Sequence, residues 1–301
     1  NRVIRYLRQS EINKEKWDLC ISNSPNGSIY SYSFYLDHLA DNWDALVLND
    51  YEAVMPLPWR KKWTVYYIYQ PFLTAQLGVI GKYISADLLN KFLSAIPTKF
   101  KYWDFPLNRE NLYPVDFPLY QRINYVLNLK KSYDQLHSNY KENIRRNIKK
   151  SKQFGCYSKN NIDVDEIISI AKAQTKNYID DDFENFKSLF YYLHQQQLAK
   201  TYGVFSQKDE LIASAVFFFS HNRAYYILVG NHPNCRTLGA SHALINSFIK
   251  DHSEQDLVLD FEGSDIRNLA YFYSSFGAVE ESYAAIKLNK LPWWLKWLKK
   301  A

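Results

Sequence analysis

An internal repeat constrains this 301-residue chain more than any other feature. Asp50, then Ala53-Val54-Met55-Pro56-Leu57 and Tyr66-Tyr67-Ile68, align at one constant offset with Asp209, Ile212-Ala213-Ser214-Ala215-Val216 and Tyr225-Tyr226-Ile227. Further on, Tyr102-Trp103-Asp104-Phe105 mirrors Val258-Leu259-Asp260-Phe261 with the offset three residues shorter, and Arg109 mirrors Arg267 with it one residue shorter. A hairpin, a helix and an Asp-Phe strand succeeding one another twice predict a duplicated α/β unit. The length also suits two domains.

The periodicities fill in the unit. Short β-rich runs lie at 45–48, 53–59 and 64–69, with further strands at 100–105, 123–129, 203–207, 212–220, 224–229, 257–261 and 283–288. Ser85 reads as the N-cap of a helix that ends before Pro97. Ser132 reads as the cap of one long helix closed by Gly155, because Tyr133, Leu136, Tyr140, Ile144 and Ile148 recur at spacings of three and four. Helices are also expected at 164–174, 183–200, 240–251 and 266–275. The fold class is thus α/β (α+β), with domains over 1–130 and 131–288 and the first completed by 289–301.

Several classes drop out. The longest apolar run, Ile212 to Phe219, is strand-sized and too short to cross a bilayer. Cys20, Cys156 and Cys235 are odd in number and far apart, so neither a disulfide framework nor a zinc knuckle is expected, and a cytoplasmic setting follows. No His-Glu-x-x-His spacing and no Gly-x-Ser-x-Gly elbow occur. The net charge of +6 is modest but gathered: 141–152 holds six cations and one anion. Lys141, Arg145, Arg146 and Lys149 on that helix suit either plain solvation or a phosphate-rich partner, and no DNA partner is expected. The segment 291–300 interleaves Trp293, Trp294 and Trp297 with Lys296, Lys299 and Lys300. It suits a membrane interface, or a terminal helix that lays its tryptophans back on the first domain with lysine heads in water; the latter is the expectation.

Arg236-Thr237-Leu238-Gly239-Ala240-Ser241 stands between a strand and a helix. A Gly turn at a helix N-terminus presents amides and the positive dipole end to an anion, or serves as an ordinary connection. With this turn in view, the chain resembles the GNAT acyltransferase superfamily and its duplicated FemABX-like branch. The basic segment Ser138 to Lys150, the Tyr-rich strand Ala224 to Gly230, and Leu259-Asp260-Phe261-Glu262-Gly263-Ser264 followed by Phe276-Gly277-Ala278 carry the resemblance. It implies two tandem GNAT-like domains, each a mixed, mostly antiparallel sheet flanked by helices. It also implies that Arg236, Leu238, Gly239, Ala240 and Ser241 bind a phosphate-bearing donor, acyl-CoA or aminoacyl-tRNA. Ser241 departs from the family pattern at its last place. The first half, with Pro71 where an amide is wanted, should have lost that turn.

The implied activity is acyl or aminoacyl transfer to an amine of a cell-envelope precursor, such as a peptidoglycan peptide or amino sugar, received between the domains. A non-catalytic binding module of the same fold is the alternative. Glu262 is the expected base, at the C-terminal end of a strand, or else a cap for the next helix or a partner for Arg267. Tyr226 is the expected proton donor, with Tyr225, Tyr271 and Tyr273 as further groove or proton-donating residues. Asp260, on an otherwise apolar strand, reads as a buried structural carboxylate. No metal is expected. Peripheral placement at the inner membrane face is a further expectation from the 291–300 segment.

Overall fold

The computed structural model describes residues 3–175, 179–263 and 267–299. In chain order its strands are β1 (Ile4–Leu7), β2 (Trp43–Leu48), β3 (Ala53–Lys62), β4 (Val65–Ile68), β5 (Ile80–Gly81), β6 (Phe100–Pro106), β7 (Leu119–Asn128), β8 (Tyr157–Asn160), β9 (Ala199–Phe205), β10 (Leu211–Ser220), β11 (Arg223–Asn231), β12 (Val258–Asp260) and β13 (Val279–Asn289). The helices are α1 (Lys14–Asn23), α2 (Ser33–Leu39), α3 (Ala86–Ser94), α4 (Tyr133–Ser138), α5 (Glu142–Gln153), α6 (Val164–Gln174), α7 (Asp180–Gln195), α8 (Cys235–Leu238), α9 (Ala240–His252) and α10 (Arg267–Ser275).

Two compact units emerge: Asn1–Arg122 with Ser282–Ala301, and Ile123–Glu281. The boundary expected at 130/131 therefore lies at 122/123, and the second unit ends at Glu281 rather than at 288. Strand pairing explains the difference. Ala285 to Asn289 of β13 pair antiparallel with Pro106 to Tyr102 of β6, inside the first unit. Val126 to Asn128 of β7 pair antiparallel with Asp260 to Val258 of β12, inside the second. Each unit is thus closed by a strand that the chain order would assign to the other.

The units share one topology. In the first, the order is β1-β2-β3-β4-β6-β13, with β4 and β6 parallel and the other neighbours antiparallel. In the second it is β8-β9-β10-β11-β12-β7, with β11 and β12 parallel. The duplicated, mixed and mostly antiparallel architecture is the one the repeat requires.

Local chemistry sets the elements. Ser85 accepts the Leu88 amide and caps α3, whose Leu88, Leu89, Phe92 and Leu93 are buried against the first sheet; each contributes about 2 kcal/mol by burial. In the second unit β10 alternates its faces. Phe217 stacks on Phe248 of α9, with ring centroids 3.9 Å apart, and Phe218 stacks on Phe186 of α7 at 5.6 Å. Helices therefore cover both faces of the sheet.

One expected helix is two. Ser132 does cap α4, in a capping box with Gln135, but the run breaks at Asn139-Tyr140-Lys141. The Lys141 amide donates to Ser275 O (2.9 Å), and the Arg145 guanidinium donates to Ser138 O and Tyr140 O (2.9 and 2.7 Å). These carbonyls lose helical partners and gain a cation. The apolar stripe survives the break: Leu136, Tyr140 and Ile144 are buried in one cluster, with Tyr133 and Ile148 packed against it. The C-terminal tryptophans do not pack back as expected. Trp293, Trp294 and Trp297 are 84%, 57% and 66% exposed.

A buried ionic knot, the half-buried His242 and the buried His252 give stability predictions. Arg223 joins Asp260 (3.0 Å) to Glu281 (2.7 Å). Arg223→Met should leave Asp260 uncompensated and cost about 3–5 kcal/mol in chemical denaturation; an unchanged midpoint would contradict the arrangement. Burial, reinforced by Lys150, pushes His242 down to about 4, and burial also lowers His252. A lowered histidine pKa means that the unfolded chain takes up protons first. Stability is then complete above about pH 6.5 and falls toward pH 4 by on the order of 2–3 kcal/mol for His242. His242→Gln should flatten part of that acid slope, measured as denaturation midpoint against pH.

Candidate active site

β11 and β12 pair over only three positions, Arg223↔Val258, Ala224↔Leu259 and Tyr225↔Asp260. β12 stops at Asp260 while β11 continues to Asn231, so beyond Tyr225 the two strands no longer share hydrogen bonds. A β-bulge in the pairing of β11 with β10, where Phe217 faces Tyr226 and Val216 faces Leu228, leaves Ile227 as the extra residue. Bulges re-aim side chains where pairing ends.

Asp260 organises the far side of this opening. It is 3% exposed. Its carboxylate accepts from Arg223 Nη1 (3.0 Å), Asn124 Nδ2 (3.0 Å) and the Glu262 amide (2.8 Å). Burial raises its pKa, while Arg223 and those two donors oppose the rise. The structural role expected of Asp260 is what the geometry shows. The amide contact holds Glu262 in the left-handed region at φ 62°, followed by Gly263 at φ 71°. A Cβ on Gly263 would sit 2.6 Å from Ile123 O and 3.0 Å from Asn124 Cα, so the chain needs glycine to pass that close. A non-glycine residue held left-handed costs about 1 kcal/mol or more, and such strain gathers at functional sites.

Tyr226, Phe261 and Tyr273 cluster at the opening. Phe261 stacks on Tyr273 at 4.6 Å and meets Tyr226 edge-on at 6.2 Å. Burial, then the neighbouring Tyr273 and Cys235, push the Tyr226 phenol well up. Burial and the carboxylate of Glu262 push Tyr273 up as well. Both shifts favour the neutral phenol over the phenolate. Phe261 thus joins the expected Tyr226 to Tyr273, a residue of α10 that no spacing in the sequence singles out, and Tyr273 in turn feels the charge of Glu262.

The expected phosphate-binding turn looks different. Arg236 and Leu238 lie within the helical turn α8; Arg236 is exposed and Leu238 half-buried. Gly239, at φ 64°, and Ala240 are buried. A Cβ on Gly239 would stand 2.4 Å from Asn147 O of α5. The Ser241 hydroxyl lies 2.8 Å from Cys235 Sγ, and that thiol also takes the Ser241 amide. A helix carbonyl of α5 by itself accounts for the glycine. Arg236 is the member of the five that stands open to a ligand.

The basic helix divides likewise. Arg145 caps α4, and Lys141 Nζ sits 4.7 Å over the Tyr271 ring. Arg146 and Lys149 are exposed. Ser264 and the Arg267 side chain, named in the sequence reading, lie outside the described residues. Among the described residues no group of three or more His, Cys, Asp or Glu side chains is arranged to hold a metal ion.

The acetyltransferase (GNAT) domain family matches residues 138–273, the segment that holds α5, β11, β12 and α10. No curated protein matches the sequence. Among solved structures, FemX is similar over 99% of this chain and 100% of its own, with a TM-score of 0.67 and 12% identity. The C-terminal domain of a putative lysylphosphatidylglycerol synthetase from Agrobacterium fabrum covers 92% of this chain and 91% of its own, at 0.58 and 8%. A protein of unknown function from Bacteroides thetaiotaomicron covers 95% and 100%, at 0.57 and 15%. With its doubled unit and its split parallel strand pair, the chain shares the fold of FemX, and within its second half residues 138–273 match the acetyltransferase (GNAT) domain family.

Proposed function

We propose that this chain is an acyltransferase that moves an acyl or aminoacyl group from a phosphate-bearing carrier to an amine of a cell-envelope precursor. The observation that carries the reading is the cluster where β11 and β12 part: Glu262 on a strained turn, its charge felt by the buried Tyr273, with the buried Tyr226 joined to Tyr273 through Phe261. Acyl transfer to an amine needs a base for the ammonium proton, donors for the carbonyl oxygen as it gains charge, and an acid for the leaving group. Glu262 supplies the base. Tyr273 and Tyr226 supply donors. The amine nitrogen attacks the carbonyl carbon, Glu262 takes its proton, the carbonyl oxygen is held by a phenol, and as the carbonyl re-forms the bond to the carrier breaks and the carrier's sulfur or oxygen takes the proton back from Glu262. No covalent intermediate on the protein is required. The acceptor class draws support from the FemX-like fold and is otherwise open to chemistry that presents a primary amine.

Arg236 is the proposed anchor for the carrier's phosphates. The match to a GNAT domain supports a coenzyme A thioester as the carrier. The exposed Arg146 and Lys149 support a second donor, aminoacyl-tRNA, whose backbone phosphates they would meet.

Two experiments test this. With an acceptor identified by screening amines against acyl-CoAs and charged tRNA, Glu262→Gln should lower kcat about 10²–10⁴-fold, and Tyr273→Phe should lower it about 10²–10³-fold, with melting temperatures near that of the parent. Full turnover by Glu262→Gln would remove the base assignment. For the donor, acetyl-CoA or longer acyl-CoAs should raise the melting temperature and Arg236→Ala should abolish the rise. If tRNA is the carrier instead, its binding should fall steeply with salt and weaken in Arg146→Glu/Lys149→Glu. Absence of both effects would sink the transferase reading.

A further inference from the structure

Three separated segments meet at one end of the first unit's sheet. The β3–β4 hairpin tip carries Lys61, Lys62 and Trp63. β4 then pairs parallel with β6, Tyr66 opposite Phe100, so the tip lies beside the start of β6, where Lys99 and Lys101 stand. β13 runs antiparallel to β6 and ends at Asn289, opposite Tyr102. The Lys290 amide donates to Lys101 O (2.8 Å), and Lys290 Nζ sits 4.8 Å over the Trp103 ring. The chain continues into the short 3-10 helix Trp293–Lys299. Segments 60–66, 97–103 and 287–299 contain no acidic residue.

Their side chains face water. Lys61, Lys62, Lys99, Lys101, Lys290 and Lys296 are exposed. Arg60 is the cation there with a carboxylate partner, Asp41, at 2.6 Å. Trp63 is 74% exposed, and Trp293, Trp294 and Trp297 are more than half exposed. Exposed large apolar side chains are ordinarily scattered. Four tryptophans beside six lysines with no acid among them form a surface with one chemistry: indoles suited to the headgroup region and ammonium groups suited to lipid phosphate. Lys61 and Lys99 both lie over the Tyr66 ring, at 5.0 and 5.4 Å, which holds two charges at the surface without pairing either.

We propose that this end of the first unit docks on an anionic lipid bilayer, tryptophans in the interface and lysines on the phosphates. Among the described residues no helix is long and apolar enough to cross a membrane, so the contact is peripheral. Nucleic acid offers phosphate too, but phosphate contacts alone leave four exposed indoles unused.

The test is co-sedimentation of the full chain with vesicles of equal parts phosphatidylglycerol and phosphatidylcholine, against phosphatidylcholine alone. Binding should require phosphatidylglycerol and weaken with salt. Trp293→Ser/Trp294→Ser/Trp297→Ser should weaken it about tenfold or more, and Trp63→Ser, in a different segment, should weaken it with an unchanged melting temperature. Lys61→Gln/Lys62→Gln should cost about fivefold per lysine. Failure to bind either vesicle overturns the proposal. So does binding that ignores both the tryptophan and lysine variants, or binding to a short RNA duplex that the tryptophan variants leave unchanged. None of these readouts involves acyl transfer, so the proposed reaction and the proposed docking fail separately.

Discussion

The second unit is built around one buried carboxylate. Asp260 takes hydrogen bonds from three parts of the chain, the side chains of Arg223 and Asn124 and the amide of Glu262, and shares Arg223 with Glu281. Those partners come from β11, β7, the turn after β12 and β13. A lone carboxylate at that depth would be prohibitive. Satisfied on all sides, it locks the register of the strands at the point where β11 and β12 part. A knot of this kind adds little net stability over a well-packed apolar core; what it secures is geometry, because the same oxygen that serves Asn124 also fixes the backbone of Glu262.

That geometry separates two ways of using a GNAT-type unit. One places the weight on a phosphate cradle at the mouth of α9, the other on the gap beyond Tyr225. Here the cradle is packed, Gly239 against Asn147 O and Ser241 against Cys235, while the gap gathers Tyr226, Tyr273 and Glu262. Polar groups with raised pKa values beside a strained turn mark a site more specifically than a glycine does.

Much of the fold was legible in the sequence because strands and helices write period and repeat directly. The hairpin and the Asp-Phe strand recur, Ser85 and Ser132 cap as expected, and α6 runs over the predicted residues. The break between α4 and α5 was not legible, since it depends on Ser275 O and on Arg145 turning back to two carbonyls. The domain boundary escaped for the same reason: which sheet a strand joins is a long-range choice, and the patterns of β7 and β13 suit either. Of the candidate site, Glu262 stood out by its place just after a strand, and Tyr226 by its place in the tyrosine-rich β11. Tyr273 was one tyrosine among 25, distinguished only by its neighbours. The turn at Gly239 announced a glycine of importance correctly but not its cause, because a carbonyl from α5 and a phosphate ask the same absence of Cβ.

The exchange of closing strands has a consequence for biosynthesis. As the polypeptide leaves the ribosome, its leading half has every α-helix of its own unit yet lacks the strand that seals β6, which is encoded more than 170 residues later. Until Ala285 to Asn289 emerge, that flank of β6 offers open amides and carbonyls to any stray extended segment. Maturation of the earlier unit is thereby tied to completion of the later one, and a ribosome that stalls in between leaves an adhesive intermediate for chaperones to guard.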